Sequence, residues 1–493
     1  MLHRNLNLGI LAHVDAGKTT LTERLLYTAG VIDEIGSVDA GTTQTDTLAL
    51  ERQRGITIKS AVASFEIGDV TVNLIDTPGH PDFIAEVERA LSVLDGAVLV
   101  VSAVEGVQPQ TRILMRALQR LRVPTLFFVN KTDRSGADCD RVLHDITERL
   151  TPDAIAAHDL DAAHLTELLA EHDDDLLVHP VFFGSALTGA GVEKLMDGIA
   201  ELLPTAPNPA NTAASGRVFK VERGPAGEKI AYVRMFAGAV HTRERVAFGR
   251  ANERKLTAIE VFGDGTARRT DEAMAGQIAK VWGLTEVQVG DTIGAAGPRT
   301  EQRSFDPPSL ETVVSPRNPD DTVSLRTALA QLAEQDPLIN VRQDDTRREI
   351  YLSLYGEVQK EVIEATLAND YGIEVAFRRT TTLCVERPRA CGAAVERMHT
   401  PSNPFLATIG LRIEPAPVDS GITFRIEAEL GSMPYAFFKA VESTVRETLQ
   451  EGLYGWAVTD CVVAMTHSGY VGKHGLGHQR FNKSMSSTGE DFR

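Results

Sequence analysis

The chain has no run of about 18 apolar residues, the length a membrane-crossing helix requires. Its start, MLHRNLNLGILAHV, leads straight into a strand and carries no small-residue cleavage site, so no secretory leader is read there. Cysteine is scarce: Cys139, Cys384, Cys391 and Cys461 are scattered and form no CxxC pair. Reduced thiols are expected, not a disulfide framework. Positive charge is also in deficit, with 50 Lys+Arg against 68 Asp+Glu and a net charge of −18. That argues against non-specific nucleic-acid binding driven by bulk charge, while a local basic surface could still dock on RNA. These absences point to a soluble, cytoplasmic protein without a membrane span.

What is present is ordinary globular composition, 43% hydrophobic and 24% charged. At 493 residues the chain is too long for one core, and three or four domains are expected. Four short segments in the first two hundred residues carry chemistry: Ala12–Thr19 (AHVDAGKT), Asp76–His80 (DTPGH), Asn130–Asp133 (NKTD) and Ser185–Leu187 (SAL). Each is weak alone. Their order reads as a GTP switch.

The first follows an apolar strand, Leu6–Ala12, and opens a helix that runs from Lys18 to about Ala29 and is stopped by Gly30. Strand, loop and helix are the context of a phosphate-binding loop, although Ala12 stands where the strict pattern has glycine. The stretch His13, Val14, Asp15, Ala16, Gly17, Lys18, Thr19 and Thr20 would cradle the phosphates with backbone N–H groups. Lys18 would reach the outer phosphates, and the Thr19 hydroxyl would ligate Mg²⁺. Asp76, delivered by the strand Val72–Ile75, would hold the metal through water, and Gly79 would sense the γ-phosphate. Between them, Glu51–Ile58 (ERQRGITI) places Thr57 to complete the metal shell in the GTP state and leave after hydrolysis; an exposed loop is the bland alternative.

His80 alone would read as a surface histidine in a Pro-Gly turn. Beside the other segments it is the catalytic candidate, an imidazole placed to orient the attacking water. In the third segment, the Asp133 carboxylate can accept from guanine N1–H and the exocyclic amine, a pattern adenine lacks. Lys131 can lie over the base and Asn130 can tie loops together. Ser185, Ala186 and Leu187 offer backbone N–H groups to the guanine oxygen.

Residues 1–204 alternate strand and helix, which implies a parallel sheet with helices on both faces and ligands at the strands' carboxyl ends. Residues 150–180, including the acidic run HDDDLLVH, read as a solvated helix or loop, and 205–213 as a linker. From 215 to 300, β-rich runs such as Val218–Val221 and Ile230–Phe236 suggest a β-barrel. Residues 307–380 read strand, helix, strand, strand, helix, strand, a ferredoxin-like module. Leu325, Ala328, Leu329 and Leu332, and then Val358, Val362 and Ile363, are its core stripes. A further α+β unit follows from 381, with a helix from about Tyr435 to Gly452 and a strand Thr459–Thr466. The fold expected is therefore multidomain α/β: a P-loop GTPase domain (1–204), a β-barrel domain (214–303), a ferredoxin-like α+β domain (307–380) and an α+β fourth domain (381–493), a partial one by the family resemblance that follows. Residues 461–493 hold Lys473, Arg480, Lys483 and Arg493 against Glu490 and Asp491, so a local RNA contact and a disordered end are both open readings. His474 and His478 have helical metal spacing, but Gly475 and Gly477 beside them argue against zinc.

AHVDAGKTT, RGITI, DTPGH, GVQPQT and NKTDR resemble the translational GTPases, specifically elongation factor G. GTTQTDTLALERQRGITI, LSVLDGAVLVVSAVEGVQPQTRIL, ERPRACGAAVERMHTPSNPFLATIGL and QEGLYGWAVTDC resemble more closely its relatives, the tetracycline-resistance ribosomal protection proteins. The resemblance covers almost the whole chain. It implies a ribosome-dependent GTPase that uses GTP and Mg²⁺ and dislodges tetracycline from the small subunit, its fourth domain reaching the decoding centre. Ribosomal RNA would align His80, with Val14 and Ile56 as its apolar flanks. The resemblance also implies a trimmed insert near 150–180 and roughly one domain absent after Arg493, including a C-terminal helix. The loop around Tyr470–Met485 departs from the family's shorter tip loops, so no tip residues are carried over. Two alternatives stand: a translocation factor of the elongation factor G type, and a remnant that holds GTP and the ribosome without acting. No dimerisation device is evident, and a monomer is expected.

Overall fold

The computed structural model describes residues 4–36, 43, 51, 56–157, 178–205, 212–249, 252–263, 265–295, 305–344, 348–401, 403–418 and 420–470. The chain divides into two compact units, Met1–Thr381 and Thr382–Arg493.

The first unit begins with a seven-stranded sheet of β1 (Arg4–Ala12), β2 (Ala61–Ile67), β3 (Val70–Asp76), β4 (Gly96–Ser102), β5 (Thr125–Asn130), β6 (Ala154–Ala156) and β7 (His179–Phe183), in the order β2-β3-β1-β4-β5-β7-β6. β4 and β5 are buried along their whole length, as their near-continuous apolar sequences require of strands covered on both faces, and β3 is buried too although Thr71, Asn73 and Asp76 interrupt its apolar residues. Side chains alternate between those faces. Leu6, Leu8 and Ile10 meet Leu21 and Leu25 of helix Lys18–Thr28, together with Leu195 and Ile199 of helix Val192–Leu202. Leu11, Leu99 and Val101 meet Val87 of helix Ile84–Leu91, Leu114 of helix Pro109–Arg120 and Ile146 of helix Cys139–Arg149.

Two details differ from expectation. The sheet is not wholly parallel, because β2 returns antiparallel on β3 through the tight turn at Gly68. A short edge strand, β6, lies in the stretch read as solvated; only three residues long, it shows too little alternation to be seen in sequence.

Residues 215–294 form the barrel module. Eight strands follow one antiparallel path, the pair Ala239–His241 and Glu272–Met274 adds to it, and both enclose a core that includes Val218, Val233, Val240, Ile259 and Ala273. The module is docked on the first sheet: Phe219, Tyr232 and Ile278 pack on Ile75 and Val93, and the buried Arg234 reaches both Asp95 oxygens at 2.9 and 3.0 Å.

The βαββαβ module is present as Leu310–Pro316, Thr322–Gln335, Arg342–Asp344, Glu349–Leu354, Glu357–Tyr371 and Val375–Phe377. Its strands Leu310–Pro316 and Glu349–Leu354 lie centrally, flanked by Val375–Phe377 on one side and Arg342–Asp344 on the other, and these pairs are antiparallel. The expected core stripe of helix Glu357–Tyr371 is split. Ile363 and Leu367 enter the module's own core, whereas Val358 and Val362 pack with Ile56, Ile58 and Phe83 of the first module. Sequence periodicity reports an apolar face but not which module covers it.

In the second unit, Gly392–Glu396, Ala407–Pro415, Cys461–Tyr470 and Ile422–Ile426 form a four-stranded sheet in that order. Ile422–Ile426 and Cys461–Tyr470 run parallel, connected through helix Tyr435–Thr448. That helix ends before Gly452, because the Glu386 carboxylate accepts from the Leu453 and Tyr454 N–H groups at 2.8 and 2.7 Å and holds the chain in a turn. The last strand starts later and runs further than Thr459–Thr466. Helix residues Phe438, Val441 and Val445 are buried on the sheet. All four cysteines are free. Among the described residues no helix is long and apolar enough to cross a membrane. Arg54 and Gly55, the acidic run at 172–177, linker residues 206–211, and Lys473, His474, His478, Arg480, Lys483, Glu490, Asp491 and Arg493 lie outside the described residues.

Candidate functional site

The loops after β1, β3, β5 and β7 converge at the carboxyl edge of the first sheet around a cleft of about 720 Å³. It is lined by His13, Val14, Asp15, Gly17, Lys18, Thr19 and Thr20 from the first segment, Thr57, Gly79 and His80 from the middle, and Asn130, Lys131, Asp133, Ser185, Ala186 and Leu187 from the last two. Of the residues selected from sequence, only Ala16 and Asp76 are absent from the lining; both lie fully buried directly behind it.

The phosphate loop turns through two left-handed residues, Asp15 (φ 64°) and Gly17 (φ 90°). Gly17 is needed twice: for its φ, and because a Cβ there would meet Asn130 Nδ2 at 2.4 Å. Asn130 spans the cleft floor. Its Nδ2 donates to Ala16 O at 2.9 Å, and its Oδ1 accepts from Ala186 N at 2.9 Å. One buried amide thus ties the phosphate loop to the Ser185–Leu187 loop.

Lys18 Nζ donates to Asp76 Oδ1 at 2.5 Å and to Thr57 Oγ1 at 3.0 Å, while Thr19 Oγ1 lies 3.4 Å from Thr57 Oγ1. The Thr57 hydroxyl and the Asp76 carboxylate meet on the Lys18 ammonium, with the Thr19 hydroxyl beside Thr57. Hard oxygen donors around a positive centre are the donor set magnesium prefers, so these residues fit that ion. Burial pushes the His13 imidazole below its ordinary range, so it is neutral at pH 7; its Nδ1 lies 3.1 Å from Thr111 Oγ1.

His80 caps the short turn Pro81–Phe83, its Nδ1 accepting from Asp82 N–H at 3.2 Å. In the neutral ring this leaves the proton on Nε2, so the ring's free edge is a donor. Val14 and Ile56 line the same cleft as His80.

Three contributors escaped the sequence reading. Arg24, one helical turn after Thr20, lines the cleft and donates from Nε to Ala186 O at 2.9 Å and from its other arm to Leu187 O. Glu105, in the loop after β4, lies 3.3 Å from Lys131 Nζ. Glu51 accepts from Ile58 N and Lys59 N at 2.9 and 3.0 Å, fixing the backbone that carries Thr57. Position offered a signal for two: Arg24 is helically spaced from Thr20, and Glu105 follows a strand's carboxyl end. Glu51 offered none, because its partners are backbone amides.

Family models match in chain order: the Elongation factor Tu GTP binding domain over residues 3–205, Elongation factor G domain 2 over 213–296, Elongation Factor G domain III over 305–379 and Elongation factor G domain IV over 385–477. A crystal structure of a protein from Thermus thermophilus shares the fold, with a TM-score of 0.66 at 23% identity, covering 98% of this chain and 84% of that one. Fold, site and models together define the class, a GTPase of the multidomain translation-factor type. Among curated relatives, the oxytetracycline resistance protein of Streptomyces rimosus is 50% identical over 94% of this chain and 79% of its own length. The tetracycline resistance protein TetM of Streptomyces lividans is 46% identical over 99% and 82%, and TetP of Clostridium perfringens 40% over 94% and 78%. The chain belongs to the tetracycline-resistance ribosomal protection proteins.

Proposed function

We propose that this protein is a ribosome-dependent GTPase that frees the small subunit of tetracycline, acting as a monomer in the cytoplasm with four domains, 1–204, 214–303, 307–380 and 381–493. The observation that carries the nucleotide reading is the gathering of Lys18, Thr57 and Asp76 beside the phosphate loop, closed at its far end by Asn130. The tetracycline reading is supported by the names of relatives that span most of the chain.

In this reading the N–H groups of His13–Thr20 hold the phosphates, and Lys18 leaves Asp76 to reach the outer ones. Thr19, Thr57 and Asp76 would hold magnesium, which when bound supplies positive charge beside the phosphates. Gly79 meets the γ-phosphate. Asp133 accepts from guanine, Lys131 covers the base, and Ser185, Ala186 and Leu187 bind its oxygen. His80, with Nδ1 held by the Asp82 amide, orients the attacking water by donating from Nε2; a ring already protonated there does not act as the base. Catalysis is positioning and charge stabilisation.

His80→Ala is expected to keep GTP affinity and lose ribosome-stimulated turnover. Near-normal stimulated hydrolysis would overturn the catalytic role. Protection of a tetracycline-sensitive host, with release of labelled drug from ribosomes, tests the substrate; GTP turnover that supports translocation and leaves the drug bound would favour a translocation factor.

A further inference from the structure

The residue two places after His80 belongs to two sites at once. Asp82 Oδ1 lies 3.4 Å from His80 Nδ1, the nitrogen that also accepts the Asp82 amide at 3.2 Å. Its other oxygen, Oδ2, accepts from Val358 N at 2.9 Å and Gln359 N at 3.3 Å. Those amides open helix Glu357–Tyr371 of the ferredoxin-like module, whose N-cap, Gly356, has no side chain to cap it. An orphan helix N-terminus is satisfied by a carboxylate from another module, where the helix dipole also favours negative charge. Gly356 makes room: a Cβ there would meet Asp82 oxygens at 2.2 Å. Around this contact, Val358 and Val362 of the same helix pack on Ile56, Ile58 and Phe83. The residues beside Thr57 and beside His80 therefore share one apolar patch with the ferredoxin-like module.

We infer that Asp82 is a positioning residue that couples the orientation of His80 to the docking of helix Glu357–Tyr371. The inference rests on the reading of His80 as the water-orienting group. While the helix is docked, Asp82 is held by two backbone donors, and the turn Pro81–Phe83 that aims the imidazole is fixed with it. Withdrawal of the helix removes both donors from Oδ2 and unpins the turn Pro81–Phe83, so the Asp82 amide that aims the imidazole is no longer fixed. A displacement of the ferredoxin-like module is then read at the catalytic ring without any contact to nucleotide. Asp82 does not line the cleft, so substrate affinity should be insulated from the change.

The test uses the whole chain with ribosomes and four variants: Asp82→Ala, Gly356→Ala, the double variant and His80→Ala. Gly356 has extended backbone (φ −173°), which alanine adopts, so its variant probes only the space needed by Asp82. Both single variants are expected to bind GTP as the wild type does and to lose about tenfold or more in ribosome-stimulated kcat, the scale of loss seen when reacting groups are misplaced. KM for GTP should hold. The double variant should be no slower than the slower single, since both break one contact. Multiplying losses in the double variant, or wild-type kcat in both singles while His80→Ala is inactive, would overturn the coupling alone. Near-normal turnover of His80→Ala would overturn the reading of His80, and the coupling with it. If Asp82→Ala binds no GTP, Gly356→Ala decides: a lowered kcat supports the coupling, an unchanged one refutes it.

Discussion

Asn130 and Asp133 stand three residues apart in one motif but do different work. Both line the cleft, but Asn130 is only 3% exposed and spends both ends of its amide on neighbouring loops. Asn130→Ala leaves Ala16 O and Ala186 N without these buried partners, at a cost of about 1–3 kcal/mol for each group. The variant is expected to show a lower denaturation midpoint and weaker binding of both GTP and GDP, because the two loops lose their tie whatever the phosphate number. Calorimetry beside nucleotide titration checks it; unchanged stability would mean that the loops stand unaided. The side-chain types at these positions were legible from sequence. The division of labour was not, since it depends on which of the two residues faces inward from the end of β5.

At the scale of elements, helix Lys18–Thr28 does more than present the N-terminus proposed to meet phosphate. One turn beyond Thr20, Arg24 reaches the carbonyls of Ala186 and Leu187 and braces the loop proposed to meet guanine. Arg24→Ala is expected to weaken guanine-nucleotide affinity several-fold and to narrow the preference for GTP over ATP, measured by competition with a fluorescent analogue. An unchanged preference would assign the bracing to Asn130 alone. Helix Glu357–Tyr371 carries the parallel lesson. Its apolar spacing holds, but one stripe serves two clusters, its own core and a small one shared with Ile56, Ile58 and Phe83 of the first module. Hydrophobic periodicity measures how much of a helix is covered and is silent about the neighbour that covers it.

Across the first unit, the three modules meet at a set of partly buried charges. Arg89 bonds Glu86 at 2.6 Å on its own helix and Asp336 of the ferredoxin-like module at 2.9 Å, and Lys220 of the barrel module donates to Ser60 O at 2.6 Å. Burial alone would raise the Glu86 carboxyl, but Arg89 first, then Lys220 and Lys59, outweigh it and hold Glu86 below its ordinary value of 4.5. The unfolded chain therefore binds the Glu86 proton at higher pH than the folded one. Its stabilising contribution is complete above 4.5 and is lost as pH falls through the depressed folded value. Arg89→Met leaves the Glu86 and Asp336 carboxylates without their shared cation and is expected to cost about 3–5 kcal/mol, the usual penalty for breaking a buried pair. Urea unfolding as a function of pH should show the loss at neutral pH and a smaller further loss on acidification than in the wild type, because without Arg89 the buried Glu86 carboxyl is held down less. Equal stability of the two proteins at pH 7 would show that the junction charges are solvated in solution.

The sequence alone determined what is written into short, contiguous signals. The loop proposed to hold phosphate, the aspartate proposed to read guanine and the carboxyl ends of apolar strands depend on neighbours a few residues away, and the modules' order follows from local periodicity. It also picked out most residues of the cleft, because the doubly covered sheet brings its strand ends to one edge whatever the loops contain. Only the tertiary structure decided the contacts made across hundreds of positions. Asp82 capping a helix at Val358, Arg234 on Asp95 and Arg89 on Asp336 are such contacts. Backbone amides and single charges carry no signature of a distant partner. They become specific only when packing removes water and leaves one geometry in which each is satisfied.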